Sequence, residues 1–158
     1  MTTTENTYKE IQDALVRLCK KTGRYERGGA HEPTSAPGKG LTYAVFMRSE
    51  TPIPSSGLNS TSTLLVWVIQ SRLPITYEPK DQIDLKLAGA CRDLCRRLAG
   101  NFELGIDTIR SVDIRGINGI TMGWDSGYLF QDNIWYRVFD TRVPLIINDA
   151  WPEDESDG

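Results

Sequence analysis

Histidine and cysteine are scarce in this chain, long apolar runs are absent, and no charge of one sign dominates. There is one histidine, His31, and three cysteines, Cys19, Cys91 and Cys95. An odd cysteine count without small-scaffold spacing argues against a disulfide framework. No pair of these residues has the CxxC or HxxxH spacing of a metal site. The cysteines read as reduced packing residues, since free Cys behaves as a small buried hydrophobe. The longest apolar run, Leu64 to Ile69, is far short of the ~18–20 residues that span a membrane. The opening residues, MTTTENTYKE, lack the basic and apolar regions of a signal peptide, so a cytoplasmic chain with no membrane partner is expected. A dense basic stripe, the usual footprint of a nucleic-acid binder, is also missing. Net charge is −3, and residues 149–158 hold five acids and no base, leaving 16 acids against 18 bases elsewhere. That acidic C-terminal segment reads as solvated.

What is present is apolar periodicity. Apolar residues make up 39% of the 158 and charged residues 25%, which fits one globular domain with a real core. The expected layout is a single α+β domain over 1–148, with a long loop at 23–40, followed by the acidic segment 149–158. Tyr8, Ile11, Leu15 and Leu18 recur at helical spacing, with Ala14 and Cys19 widening the stripe, so a helix is expected over about 5–21. Gly23 is its natural stop. A loop of roughly 17 residues follows, rich in Gly and Pro and longer than the ~12–15 residues common in compact domains. Leu41 to Arg48 reads as a strand. Ser60 to Leu73, apolar on both faces and β-branched, reads as the central one. Ile83, Leu87, Cys91, Leu94, Cys95 and Leu98 predict a second helix ending at Gly100, with Asp81 as its N-cap. Thr108 to Arg115 and Ile120 to Gly123 read as short strands. Gly127–Gln131 and Ile134–Arg142 flank Asp132-Asn133 as a hairpin. Regular pairing is expected to end at Pro144, leaving Leu145, Ile146, Ile147 and Trp151 in need of cover. The sum is a two-layer α+β fold: a largely antiparallel or mixed sheet of about five strands with two helices packed on it, in the order α-β-β-α-β-β-β.

Chemistry-bearing motifs fail their own tests. Pro33 to Gly40, PTSAPGKG, superficially suggests a phosphate loop, but no Gly stands at the first position of the fingerprint and Gly40 follows Lys39 where Ser or Thr belongs. Gly123-Trp-Asp-Ser-Gly127 puts Asp, not Ser, at the centre of a nucleophile elbow, and Asp-Ser-Gly reads more simply as a turn. Carboxylates are plentiful, but nothing selects a catalytic pair. No catalytic, metal or cofactor residue is named, and surfaces are the expected product of the fold.

The segments HEPTSAPGKGLTYAVFM, SGLNSTSTLLVWV and GYLFQDNIWYRVFDTRVPLIINDAW, set among two helices, resemble the tail terminator proteins of tailed bacteriophages. More narrowly, they resemble those of siphophages infecting actinobacteria. The resemblance covers about 8–151, and its most specific pieces are His31–Gly40, Ser56–Ser62 and Pro144–Trp151. It implies a structural virion protein without catalysis or cofactor. Such a protein forms a homo-hexameric ring on the last ring of tail tube protein, stops tube growth, and then meets a head-completion or neck protein. DNA passes through the lumen without specific binding. A different head–tail connector is the alternative, and a small hydrolase or nucleotide-binding enzyme a remote one. Candidate contact residues are His31, Glu32, Pro33 and Lys39 on the loop, and Leu145, Ile147 and Trp151 near the C-terminus. The latter either meet a neighbouring subunit or cap the domain's own core.

Overall fold

The computed structural model describes residues 3–30, 40–54, 60–101 and 104–152. It shows the expected α+β class: two helices over an open six-stranded sheet. In chain order these are α1 (Thr3–Thr22), β1 (Arg27–Gly29), β2 (Thr42–Pro52), β3 (Ser60–Pro74), α2 (Ile83–Ala99), β4 (Ile109–Val112), β5 (Gly123–Gln131) and β6 (Ile134–Pro152).

The sheet is built on its two longest strands. β3 pairs β6 antiparallel from Ser60↔Pro152 to Pro74↔Tyr136, and β2 lies on the other side of β3. The double-sided apolar run Leu64–Ile69 is therefore central, as its composition requires. The outer side of β6 is shared: β5 pairs residues 134–142 and β4 pairs 145–147.

Pro144 does not end β6, contrary to the sequence expectation. Its carbonyl accepts the Asp113 N–H at 2.8 Å on the β4 side. N–H and C=O of one strand residue point the same way, so the missing N–H falls in the gap between β5 and β4. No bond to β3 is lost, the tolerance expected of Pro where pairing is interrupted.

One side of the sheet carries both helices. There Tyr43, Val45, Leu65, Trp67, Ile69, Val143, Leu145 and Ile147 meet Ile11, Leu15, Leu18 and Cys19 of α1 and Leu94 and Leu98 of α2. On the other side Ile53, Leu64, Val66 and Ile146 form a smaller cluster under Ile120. The segment carrying Ile120 is shaped by buried Asp113, whose carboxylate accepts the N–H groups of Ile117 and Asn118. α1 stops where Gly23 takes a positive φ of 66°, a conformation that favours glycine. α2 begins after a 3₁₀ turn, Lys80–Gln82, and no side chain caps it; Asp81 sits inside that turn instead.

The 23–40 segment is corrected in part. Arg27–Gly29 form an edge strand parallel to β2, with Arg27↔Thr42 and Gly29↔Ala44. A parallel pair cannot be joined by a tight turn and needs a crossover of about a dozen residues. Much of the loop's length follows from that single pairing. Gly28 is required there because a Cβ would lie 2.2 Å from the Tyr43 ring. Tyr25 anchors the approach, edge-on to Tyr43 at 5.0 Å and hydrogen-bonded to Ser71 at 2.7 Å.

Candidate protein–protein interface

The β5–β6 hairpin turns through Asp132 and Asn133, both with positive φ (52° and 62°). That is the two-residue turn matching sheet twist, and Asn and Asp tolerate it. In an antiparallel pair, residues directly opposite share a face. Trp124 lies opposite Thr141, Tyr128 opposite Arg137, and Phe130 opposite Trp135. Thr141 and Phe139 continue the helix-side row of β6, so these aromatics stand on the helix side of the sheet.

Near the body this row is well packed. Phe139, at 3% exposure, joins Leu73, Ile83, Leu87 and Cys91, and Trp124 stacks on it at 4.7 Å with rings 13° apart. The Arg137 guanidinium lies 4.7 Å from the Tyr128 ring and 5.3 Å from that of Phe139. It donates to Asp84 of α2 at 2.9 Å, and this bond outweighs its partial burial and raises its pKa further. Arg137 thus ties the hairpin base to the first turn of α2.

Beyond that point no helix covers the hairpin among the described residues. α2 starts at Ile83, level with Phe139, so the aromatics nearer the tip stay in water. Tyr128 is 64% exposed, Phe130 53% and Trp135 49%, with Phe130 and Trp135 5.0 Å apart. Ile75, whose N–H donates to the Trp135 carbonyl, is also exposed. Scattered exposed apolar residues need no explanation, but aromatic rings gathered on one face are a candidate interaction surface.

Two open clefts lie elsewhere. One, of about 500 Å³, is lined by Gly23, Arg24, Tyr25, Glu26, Gly40, Leu41, Leu73, Tyr77 and Lys86. The other, of about 510 Å³ on the helix-free side, is lined by Phe46, Met47, Arg48, Val68, Asp125, Asp140 and Arg142. In the latter Arg142 pairs with Asp125 and also donates to the Thr121 carbonyl at 3.2 Å. Its lining holds two carboxylates and two guanidiniums, of which Asp125 and Arg142 form an ion pair. Among the described residues, no group of three or more His, Cys, Asp or Glu could hold a metal.

The cysteines sit on the helices as packing residues. Burial pushes Cys19 up to about 12 and Cys91 up to about 11, and raises Cys95 as well. Thiolate nucleophiles need the opposite shift. Asp93 is the helix layer's one buried carboxylate among the described residues. Burial works against its charge, but hydrogen bonds from Arg96 (2.8 Å) and Arg24 (3.3 Å) win and hold its pKa below the usual value.

The expected contact residues fare differently. His31, Glu32, Pro33 and Lys39 lie outside the described residues. Leu145 (0% exposed) and Ile147 (4%) are buried in the chain's own core, because β6 continues past Pro144 and turns them toward α1. They offer no area to a neighbour. Trp151, opposite Thr61 at the end of β6, is 43% exposed and does. The hairpin aromatics were not singled out by the sequence reading. The available signal was Trp124, Tyr128 and Phe130 at alternate positions beside Trp135, more aromatic area at one sheet corner than two helices can roof. Asp125-Ser126-Gly127, read as a turn, is instead the middle of β5.

The fold and this surface define an open-sheet α+β protein that leaves one hairpin's aromatic face uncovered. No family model matches the chain, and no curated protein matches it.

Proposed function

We propose that this chain is a ring-forming tail terminator, a virion structural protein. It caps the tail tube, stops its polymerisation and offers the surface for head attachment. The observation that carries the reading is the uncovered aromatic row Tyr128, Phe130 and Trp135 on a braced hairpin. Aromatic residues are the side chains enriched in the buried core of protein contacts, and Arg137 presets the hairpin so that little ordering remains to be done on binding. An enzyme would need a converging polar cluster instead. The resemblance of the sequence to terminators supplies the partner, and the acidic C-terminal segment suits a lumen through which DNA must slide.

The test is assembly. Purified chain added to polymerising tail tube protein should arrest tube growth and appear by negative stain as a ring at one end. Tubes of unaltered length with no bound chain would sink the reading. Binding to the portal side of a filled head, without any effect on tubes, would favour a head-completion role.

A further inference from the structure

The exposed hairpin tip and the cleft beside Tyr77 lie in matching positions at opposite edges of the same sheet. Leu73 of β3 stands opposite Arg137 of β6, and Arg137 opposite Tyr128 of β5. Leu41 precedes Thr42, the partner of Arg72, and so falls on the same row. This row carries the cleft at one end, floored by Leu41 and Leu73, and the aromatic hairpin at the other. α2 starts between them, with Lys86 turned to the cleft and Asp84 turned to Arg137.

We propose that the hairpin tip of one copy, Phe130 and Trp135, seats in the Leu41/Leu73/Tyr77 cleft of the next copy, under Lys86 and Arg24. This rests on the ring reading and specifies its contact. The chemistries are complementary. The tip offers two electron-rich rings, and the cleft offers the half-exposed Tyr77 ring and Leu41 over the buried Leu73, with Lys86 and Arg24 on its walls; the one acid there, Glu26, stands at the Gly40 end, and Arg24 also pairs with Asp93. Lys86 already lies 5.9 Å from the Tyr77 ring centre and would sit against a second ring. Cations over aromatic faces attract, most for Trp. The cleft's volume of about 500 Å³ is within the range of sites that enclose whole small molecules. Knob and socket are different surfaces on one chain, so the contact is heterologous and repeats head-to-tail into a ring or filament.

Mixing distinguishes this from any self-matching contact. Phe130→Asp removes the knob and Lys86→Glu with Tyr77→Ala removes the socket. All three sites are exposed or half-exposed, so both variants should stay folded by circular dichroism. Native mass spectrometry of wild type should show a closed ring. Each variant alone should be monomeric, with self-association weakened at least about 30-fold, as for a hot-spot residue. An equimolar mixture should give one heterodimer and nothing larger, because only one intact knob–socket pair remains. Wild-type rings with both variants still assembling would overturn this contact and leave the ring reading standing. A wild-type chain that stays monomeric to about 1 mM would also overturn this contact, while the ring reading stands or falls on the tube-arrest assay.

Discussion

The two ends of β6 make different use of the same kind of residue. From Val143 to Ile147 every side chain but Pro144 is an aliphatic held by the chain's own core, with Val143 and Leu145 at 0% exposure. At Ile134–Trp135 and the facing β5, rings of larger area stand in water. The difference is set by the reach of the helix layer. α1 and α2 roof Val143, Leu145 and Ile147, the Ile120 segment covers Ile146 from the other side, and the roof ends at Ile83 before the second region. Apolar residues beneath the roof are tied to stability, and those beyond it are free for contacts.

Substitutions at the two ends should therefore separate folding from association. Leu145→Ala should lose about 2–5 kcal/mol of unfolding free energy in urea titration, the range for a buried Leu emptied to Ala. Trp135→Ala should change that free energy by less than about 1 kcal/mol while abolishing assembly. Equal losses of stability would remove the distinction between the two regions. Gly28→Ala tests the far edge of the sheet. Its Cβ would overlap the Tyr43 ring, so β1 should detach, at a cost of about 1–3 kcal/mol. Hydrogen exchange should show lost amide protection at 27–29 with β3 and β6 unaffected.

Two ionisable groups sharpen the picture at smaller scale. The Asp93 carboxylate titrates lower folded than unfolded, so the unfolded chain binds the extra proton first. The stability it contributes is present above 3.8 and is lost as pH falls through the lower folded value. Asp93→Asn should cost about 1 kcal/mol at neutral pH, because its arginine partners are partly exposed. It should also make the acid limb of a stability–pH curve shallower. Tyr8 goes the other way: its hydrogen bond to Glu50 at 2.6 Å, with burial and the Glu50 charge, pushes it up to about 12. Between its ordinary 10.0 and about 12 the unfolded chain ionises while the folded one holds its proton, so stability falls as pH rises. Tyr8→Phe should remove that part of the alkaline loss, with a change below about 1 kcal/mol at neutral pH.

The helices, the central strand and the hairpin turn were legible because each rests on a local pattern. Ile83 to Leu98 keeps helical period, Leu64–Ile69 is too β-branched for a helix, and Asp132-Asn133 has few other uses. Arg27–Gly29 was not legible: two glycines carry no strand preference, and only the neighbouring Thr42–Ala44 makes them one. Asp125–Gly127 was misread for the same reason, since turn-forming composition yields to pairing with 138–140. Pro144 passed for a terminator because the sequence cannot show which side of β6 its nitrogen faces. The contact surface was hidden because exposure depends on where α2 begins, and an aromatic row looks the same in sequence whether or not a helix covers it.

The pairing of β3 with β6 also governs how the chain is made. Ser60 and Asp149, hydrogen-bonded at the end of this pair, are 89 residues apart in sequence. While the chain grows on the ribosome, the double-sided apolar run of β3 has β2 on one side but waits on the other for β6, which is made only after α2, β4 and β5. Contacts of such long separation form slowly, and an unpaired apolar strand is the usual seed of aggregation. Pairing with β6 is therefore what completes the burial of β3. Truncations that remove it should yield insoluble chain rather than a smaller folded domain.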